Sequence, residues 1–571
     1  MFKKSLIGLL CIFTVVTMLA SCNNGNSNER PRGCEHEWIE ATCEAPKACS
    51  KCGDTEGDAL GHEYSEEENK CPRCNLKYCD DLEFAKYEDS NTYYVKKLKR
   101  TLDTEIIIQP VYNGCRVTGI GDSAFANNKD ITRVVIPYGV TVIGKLAFAH
   151  CSNLKVVIIP DSVTSIDNAA FQSCTSLTDI ELPEGLTHLG ARSFLQCTSL
   201  TGIVIPDGIT VIEEGAFQNC WGLVNVVIPD GITVIGESAF ANCTSIVNIV
   251  IPNGVENINN AAFNGCTSLQ DINIPHSVKN IGYGVFECCT GLKSINVDEN
   301  NENYSSVDGN LFSKDKTVFI KYASGKEATS FTVPQNVKNM DMGAFCYSNN
   351  LTSVIIQDGV ESIENWLFYR CDNLVSVTIP ESVTSIGKGA FQNCKSLENV
   401  NIPSGVTSIG EDAFSYCMNM KSINIPNSVT IIEKDVFEYC KSLVNINIPE
   451  SVTSIGKGAF SNCRALVNID IPESVTSIGE GAFNYCIELE SIVIPSGVTK
   501  IEKETFRNCQ SLSSITLPSG IKTIGSYAFY DCLSIKDVYY KGTKHEWSYI
   551  IKGSDNYCLT DATIHFDFIS E

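Results

Sequence analysis

The chain has 571 residues, and its 43 Lys and Arg against 67 Asp and Glu give a formal net charge of −24. Such an excess of carboxylates repels phosphate groups, so the composition argues against nucleic acid or an anionic lipid surface as a partner. It favours solubility and a neutral or cationic partner. The 28 cysteines would ordinarily indicate disulfides in an exported protein, but their positions indicate other roles.

The first 33 residues have the pattern of an export signal followed by a tether. A cationic start at Met1 precedes an apolar run from Leu6 to Leu19, which is typical of a signal peptide and too short for a transmembrane helix. The stretch LASC resembles a bacterial lipobox and predicts a signal peptide over 1–21, an acylated Cys22 and a polar tether over 22–33. The alternative is an ordinary cleaved signal with a chance cysteine. We expect an extracytoplasmic location at the cell envelope, with the lipid as the only membrane anchor.

Residues 34–79 form a predicted module that is rich in cysteine and histidine. Two Cys-x-x-Cys pairs lie 18 residues apart, a spacing that matches a zinc-ribbon ligand pattern. The predicted ligands of a structural Zn²⁺ are Cys49, Cys52, Cys71 and Cys74. A second arrangement, with one site in each half-repeat, adds His36 and Cys43 to the first pair and His62 to the second. Cys79 is a further alternate ligand. A disulfide knot is the competing interpretation.

From residue 121 to 536 the sequence returns every 23 residues to the signature Ala-Phe-x-x-Cys. A fixed period held over seventeen copies predicts a solenoid in which each copy is one coil stacked on the next. The phenylalanines are Phe125, Phe148, Phe171, Phe194, Phe217, Phe240, Phe263, Phe286, Phe345, Phe368, Phe391, Phe414, Phe437, Phe460, Phe483, Phe506 and Phe529.

One coil, LTDIELPEGLTHLGARSFLQC over residues 177–197, illustrates the predicted elements. The alternation from Leu177 to Leu182 predicts a short strand that ends at a proline, and Glu184-Gly185 predicts a turn. A second extended piece runs from Leu186 to Leu189, and Phe194 closes the coil in the core. We therefore expect a β-rich solenoid whose strands pair in parallel at about 4.8 Å, with no ordinary helix inside a coil.

Cysteine follows the phenylalanine by three residues in fifteen coils, from Cys151 to Cys289 and from Cys371 to Cys532. Stacked coils place neighbouring thiols about 4.8 Å apart, which is wider than the roughly 3.8 Å between the Cβ atoms of a disulfide. A buried thiol behaves as a small hydrophobe with a weak donor. We therefore predict free thiols that belong to the core and lie beside backbone carbonyls.

These motifs resemble the BspA-like (Treponema-type) leucine-rich repeats of bacterial surface proteins. The family motif, roughly C-x-x-L-x-x-I-x-I-P-x-x-V-x-x-I-G-x-x-A-F, is matched by CKSLENVNIPSGVTSIGEDAF at residues 394–414. The resemblance covers about residues 82–571 and includes an N-terminal cap over 80–120 and a C-terminal cap over 537–571. It implies a leucine-rich repeat fold and a lipid-anchored surface protein that adheres to host matrix proteins or to other cells.

The array is interrupted once, because Phe286 and Phe345 are 59 residues apart. Within the insertion, at about 298–330, two alternating apolar runs flank the polar turn from Ser313 to Lys316 and predict a β-hairpin. The hairpin is either a protruding recognition element or an elaboration that caps two sub-arrays.

Strand positions that face solvent and vary between coils are the candidate ligand-binding residues. An apolar group, suited to protein recognition, consists of Val204, Val227 and Val250. A mostly amide group, suited to glycan hydroxyls or a peptide backbone, consists of Asn401, Asn424, Asn447 and Asp470. The structural alternative is that β-branched residues simply favour strands and that stacked asparagines pair with each other.

No nucleophile elbow, phosphate-binding loop or zinc-protease motif occurs, so we predict no enzyme and no cofactor besides the structural zinc. The main prediction is a non-enzymatic surface lipoprotein whose repeats bind extracellular proteins or glycans. One alternative is an envelope spacer without a dedicated ligand. Another is a metal-binding surface protein whose repeats serve as a stalk.

Overall fold

The computed structural model describes residues 70, 77–88, 90–99 and 103–567, together with the backbone of residues 38–39, 47–49 and 55–56. It divides into two compact units, residues 1–209 and 210–571. Both units consist mainly of very short strands joined by tight turns.

The first unit begins with a small antiparallel sheet of β1 (Trp38–Ile39), β2 (Lys47–Cys49) and β3 (Thr55–Glu56). An antiparallel hairpin of β4 (Leu82–Lys86) and β5 (Tyr93–Leu98) follows. The remaining strands of this unit are β6 (Glu105–Ile107), β7 (Val111–Tyr112), β8 (Cys115–Ile120), β9 (Arg133–Val135), β10 (Val142–Ile143), β11 (Val156–Ile158), β12 (Ser165–Ile166), β13 (His188–Leu189) and β14 (Gly202–Val204).

Two parallel ladders run through the first unit. One has the order β6-β9-β11, and the other continues from β5 through β8, β10 and β12 to β13. The hairpin β4–β5 thus covers the first coil, because β5 adds to β8 in parallel while β4 takes the outer edge.

The second unit repeats the same two ladders. Its elements are β15 (Val211–Ile212), β16 (Asn225–Val227), β17 (Val234–Ile235), β18 (Asn257–Ile258), β19 (Asp271–Ile274), β20 (Asn280–Ile281), β21 (Ser294–Val297), β22 (Tyr304–Val307), β23 (Asn310–Ser313), β24 (Val318–Lys321), β25 (Ser330–Thr332), β26 (Asn339–Met340), β27 (Ser353–Ile355), β28 (Ser362–Ile363), β29 (Ser376–Thr378), β30 (Ser385–Ile386), β31 (Ser408–Ile409), β32 (Ser422–Asn424), β33 (Ile431–Ile432), β34 (Asn445–Asn447), β35 (Ser454–Ile455), β36 (Ser477–Ile478), β37 (Ser491–Val493), β38 (Lys500–Ile501), β39 (Ser514–Leu517), β40 (Thr523–Ile524), β41 (Asp537–Tyr540), α1 (Lys544–Ser548), β42 (Ile551–Lys552), α2 (Tyr557–Asp561) and β43 (Thr563–His565).

The register of the regular coils confirms the predicted parallel solenoid. Residues 23 positions apart are partners, as in the pairing of Val234 with Asn257 or of Ser422 with Asn445. The ladders are not continuous, however. The strand predicted over Leu177–Leu182 is absent from that coil, whereas β13 forms where the second extended piece was expected. Asp179 and Glu181 occupy two of its three exposed positions, and Asp and Glu are depleted in strands.

Each coil turns sharply twice beside its phenylalanine. The residues two positions before and two positions after the ring adopt positive φ, as Ala169 (φ 56°) and Ser173 (φ 58°) do around Phe171. The left-handed region costs a residue with a side chain roughly 1–2 kcal/mol, so a coil carries two local strains that packing must offset, or one where glycine holds one of the two positions, as Gly481 does.

The phenylalanines form a buried stack in the core of each unit. In the first unit, Phe148 and Phe171 lie 5.2 Å apart with an interplanar angle of 3°. In the second unit, Phe391 and Phe414 lie 5.1 Å apart, also at 3°. These rings are fully buried, which confirms that one large ring closes each coil in the core.

The thiols three residues after the rings lie beside backbone carbonyls, as predicted. The Cys174 thiol donates to the Phe148 carbonyl oxygen at 3.2 Å, and the Cys417 thiol donates to the Phe391 carbonyl oxygen at 3.2 Å. Each bond reaches the preceding coil. Both thiols are fully buried, so the cysteine ladder belongs to the core.

The second unit ends in a packed cap. β43 adds to β41 in parallel and covers the last ladder. Helix α1 begins with a capping box, in which the Glu546 backbone N–H donates to Thr543 Oγ1 and the Thr543 backbone N–H donates to the Glu546 carboxylate. The indole of Trp547 lies 5.2 Å from the buried Tyr540 ring. Across the described residues, no helix is long and apolar enough to cross a membrane.

Candidate functional site

The three predicted apolar positions are exposed. Val204 of β14 in the first unit is 62% exposed, while Val227 and Val250 in the second unit are 53% and 78% exposed. The residues that flank Val204 and Val250 are buried core isoleucines, whereas those that flank Val227 are only partly buried. Exposed valines therefore alternate with core residues around Val204 and Val250.

The coils of Val227 and Val250 carry three further exposed apolar residues that the sequence reasoning did not single out. Trp221, Val224 and Val247 are 54%, 43% and 36% exposed. They belong to the same two consecutive coils as Val227 and Val250, and Thr244 Oγ1 donates to the Trp221 carbonyl oxygen across these coils at 3.4 Å. We call Trp221, Val224, Val227, Val247 and Val250 the apolar patch. The sequence carried a signal for two of these residues, because Val224 and Val247 each lie three positions before a predicted valine.

The predicted amide group is likewise exposed. Asn424 in β32 pairs in register with Asn447 in β34, and a single parallel bridge links Asn447 to Asp470. Asn401 occupies the same position in a coil where this strand does not form. Side-chain pairing of stacked asparagines does occur elsewhere in the second unit, where Asn296 Nδ2 donates to Asn273 Oδ1 at 3.1 Å. The alternative that stacked asparagines pair with each other thus holds for Asn273 and Asn296.

The insertion is an antiparallel meander that rejoins the array. β22 pairs with β23, β23 pairs with β24, and β24 then pairs in parallel with β26. Phe312 and Phe319 are buried in the core, so the meander is packed, and its exposed residues lie in its turns, at Asp308 and around Asp315. The tip is ordered by the Asp315 carboxylate, which accepts from the Thr317 backbone N–H at 3.0 Å.

The zinc and lipidation predictions fall on a part of the chain of which little is described. The side chains of Cys22, His36, Cys43, Cys49, Cys52, His62, Cys71 and Cys74 lie outside the described residues. Cys79 is described: its side chain is 6% exposed, its backbone N–H donates to the Ile107 carbonyl oxygen at 3.0 Å, and burial raises the pKa of its thiol. Among the described side chains, no group of three or more His, Cys, Asp or Glu residues is placed to hold a metal ion.

The geometry defines a leucine-rich repeat solenoid. The family model described as the BspA type leucine rich repeat region (six copies) matches residues 118–247, 210–325, 320–444 and 430–551. These matches cover more than half of the chain, which therefore belongs to the BspA-type leucine-rich repeat family and confirms the resemblance seen in its motifs.

Solved structures of bacterial leucine-rich repeat proteins are similar to the chain. A leucine-rich cell surface protein from Faecalibacterium prausnitzii A2-165 is 27% identical, with 83% of this chain and 96% of that chain covered and a TM-score of 0.37. A leucine-rich repeat protein from Bacteroides ovatus ATCC 8483 is 24% identical, with 86% and 98% covered and a TM-score of 0.35. One from Eubacterium ventriosum ATCC 27560 is 22% identical, with 76% and 92% covered and a TM-score of 0.39. A search of curated proteins finds no match.

Proposed function

We propose that this protein is a non-enzymatic, lipid-anchored surface protein whose repeats bind an extracellular protein. The observation that carries the proposal is the apolar patch, where five large apolar side chains of two consecutive coils are 36–78% exposed. Several large apolar side chains exposed on consecutive coils are candidates for a contact surface. An exposed tryptophan is also among the residue types enriched at binding hot spots.

The anchor is supported by the sequence of residues 1–33. The signal pattern, the stretch LASC and the polar tether together fit acylation at Cys22. The net charge of −24 is consistent with this picture, because it keeps the repeats soluble and disfavours contact with anionic lipid beyond the anchor.

The binding proposal is tested by probing an array of purified extracellular matrix proteins and glycans with the chain. We expect binding to at least one matrix protein. Val250→Asp should abolish this binding, because removing the new carboxylate from water at the contact costs free energy. Val493→Asp is the matched control, since Val493 occupies the same repeat position and is 52% exposed but lies in a distant coil of the same unit. If neither variant weakens the binding, the patch is not the contact. If the wild type binds nothing, an envelope spacer is the better description.

We further propose that residues 34–79 hold a structural Zn²⁺ through Cys49, Cys52, Cys71 and Cys74. Four thiolates in two Cys-x-x-Cys pairs are a donor set that suits tetrahedral zinc. Metal analysis of the full chain should show one zinc, and replacing Cys49 and Cys52 by serine should release it. Two oxidised disulfides without zinc in the wild type would contradict the assignment.

A further inference from the structure

In one coil of the second unit, the segment between the ladder strand and the ring position is two residues shorter than in the regular coils. In the regular coil Met340 precedes Phe345 by five positions. In the coil before it, Phe319 pairs with Met340 in the register of β24 and β26, and the Tyr322 backbone N–H donates to the Ala344 carbonyl oxygen at 2.9 Å. By its backbone pairing Tyr322 stands at the position of the ring residue, yet only three positions separate it from Phe319. Both rings pack on Phe345, with centroid distances of 4.8 Å for Phe319 and 5.6 Å for Tyr322. The residues that form the left-handed turn before the ring are therefore missing from this coil.

A cleft of about 400 Å³ lies where that turn is missing. Phe286 and Lys321 contribute to its floor, and Tyr283, Trp366 and Tyr369 contribute aromatic side chains. Tyr283 is 71% exposed, whereas Phe286 and Lys321 are buried. The volume falls within the roughly 300–1,000 Å³ of small-molecule sites, which are typically lined by aromatic residues with a few polar groups.

Glycines on both sides of the short coil line the cleft. Gly284 and Gly343 both have φ of +64°, and a Cβ atom on them would lie 3.1 Å from Glu287 Oε2 and 3.8 Å from Glu287 Oε1, respectively. The Glu287 carboxylate therefore lies close to both glycines. It is held there by Asn264, whose Nδ2 donates to Oε2 at 3.2 Å.

Trp366 occupies the equivalent left-handed position in the following coil, with φ of 53°. Positive φ is a genuine outlier for so bulky a residue, and it persists only where the surroundings favour it. The indole packs on the backbone of Gly389, where a Cβ atom would lie 2.6 Å from Trp366 Cδ1. A glycine in the next coil thus makes room for the ring that walls the cleft.

The cleft offers charges of both signs. The Lys321 ammonium donates to the Gly343 carbonyl oxygen at 3.0 Å and lies 3.2 Å from Cys346 Sγ. Glu287 and Asp341 supply carboxylates, and burial together with nearby Glu364 raises the pKa of Asp341 to about 6. Lys321 would repel a simple cation, and the carboxylates would repel a simple anion. A neutral ligand with many hydroxyl groups is repelled by neither, because a hydroxyl both donates and accepts hydrogen bonds.

We propose that this cleft binds one pyranose residue of a glycan. Its C–H face stacks on the Trp366 and Tyr283 rings, and its hydroxyls bond to Glu287, Asp341 and Gln392, which all line the cleft. The cleft shares no residue with the apolar patch. Glycan binding in the cleft and protein binding at the patch can therefore be tested independently.

The test is saturation-transfer NMR of the full chain with the methyl pyranosides of glucose, galactose, mannose and N-acetylglucosamine, and with n-butylammonium as the cationic probe. We expect at least one pyranoside to bind, with affinity lowered about tenfold or more in Trp366→Ala and Tyr283→Ala. Alanine is compatible with the backbone at position 366, because Ala261 adopts positive φ at the same repeat position. Tyr283 is largely exposed, so its replacement leaves the core intact.

Trp221→Ala is the matched control, since it removes an exposed indole from the apolar patch. It should leave pyranoside binding unchanged. The proposal is overturned if no pyranoside binds, if the two cleft variants bind as the wild type does, or if n-butylammonium binds more tightly than every sugar. Val250→Asp should also bind the sugar as the wild type does, which would show that sugar binding does not depend on the apolar patch.

Discussion

Replacing Phe391 by alanine tests how far the buried ring stack stabilises the array. The ring is fully buried and lies 5.2 Å from the Phe368 ring and 5.1 Å from the Phe414 ring. Phe391→Ala removes the transfer energy of the ring and leaves a cavity, which together cost about 3–5 kcal/mol. About 0.5–1.5 kcal/mol of that loss is expected for each stacking contact. Phe391→Leu keeps most of the volume, and we expect a cost of about 1 kcal/mol.

Hydrogen exchange is the suitable assay, because repeat arrays open locally and a single unfolding midpoint is poorly defined. The Phe391 backbone N–H donates to the Ala413 carbonyl oxygen at 2.8 Å, and the Phe368 N–H donates to the Ala390 carbonyl oxygen at 2.8 Å. Protection of both amides should fall about 100-fold or more in Phe391→Ala. The Phe171 amide of the first unit should keep its protection. A loss below about 1 kcal/mol at Phe391 would refute the role given to the stack.

Three further predictions concern the thiols, the left-handed turns and a buried carboxylate. Burial raises the pKa of Cys151 to about 12, so a thiol reagent at about pH 8 should label it only after unfolding, and rapid labelling of the folded chain would show that it is accessible. Gly481 has φ of +61° and an added Cβ would lie 3.8 Å from Asn484 Cβ, so Gly481→Ala should cost about 1 kcal/mol through conformation alone, measured by hydrogen exchange of the Phe483 amide that donates to the Thr505 carbonyl oxygen, whereas an unchanged or higher protection would disprove the strain. Burial, with Asp435 and Asp412 nearby, raises the pKa of Glu438 to about 7. The Glu438 carboxyl holds its proton more tightly in the folded than in the unfolded chain. The free energy of unfolding should therefore fall as the pH rises from about 4.3 through 7, and Glu438→Gln should flatten this pH dependence.

The period of the sequence was sufficient to predict the parallel register, the ring stack and the buried thiols. Each depends on one residue type that returns every 23 positions, so stacking follows once the period is recognised. The exposure of Val204, Val227 and Val250 followed from the alternation of β-strands.

Other features had no such signal. The left-handed turns are occupied by residues such as Leu146, Trp366 and Tyr439, so no glycine pattern marks them. The coil around Leu177 has the apolar pattern of a strand yet forms none there, because acidic residues hold exposed positions of that segment. The cleft depends on a two-residue shortening inside the insertion, which becomes visible only when Phe319 is found opposite Met340.

The central claim is that an exposed face of the repeats is a contact surface for an extracellular protein. Its most direct test uses the matrix protein identified in the binding screen. That protein is titrated, by biolayer interferometry, against the wild type, Val250→Asp and Val493→Asp. The account predicts that Val250→Asp weakens binding at least about tenfold while Val493→Asp binds within about twofold of the wild type. Equal affinities for all three proteins, with their folds intact by circular dichroism, would contradict it.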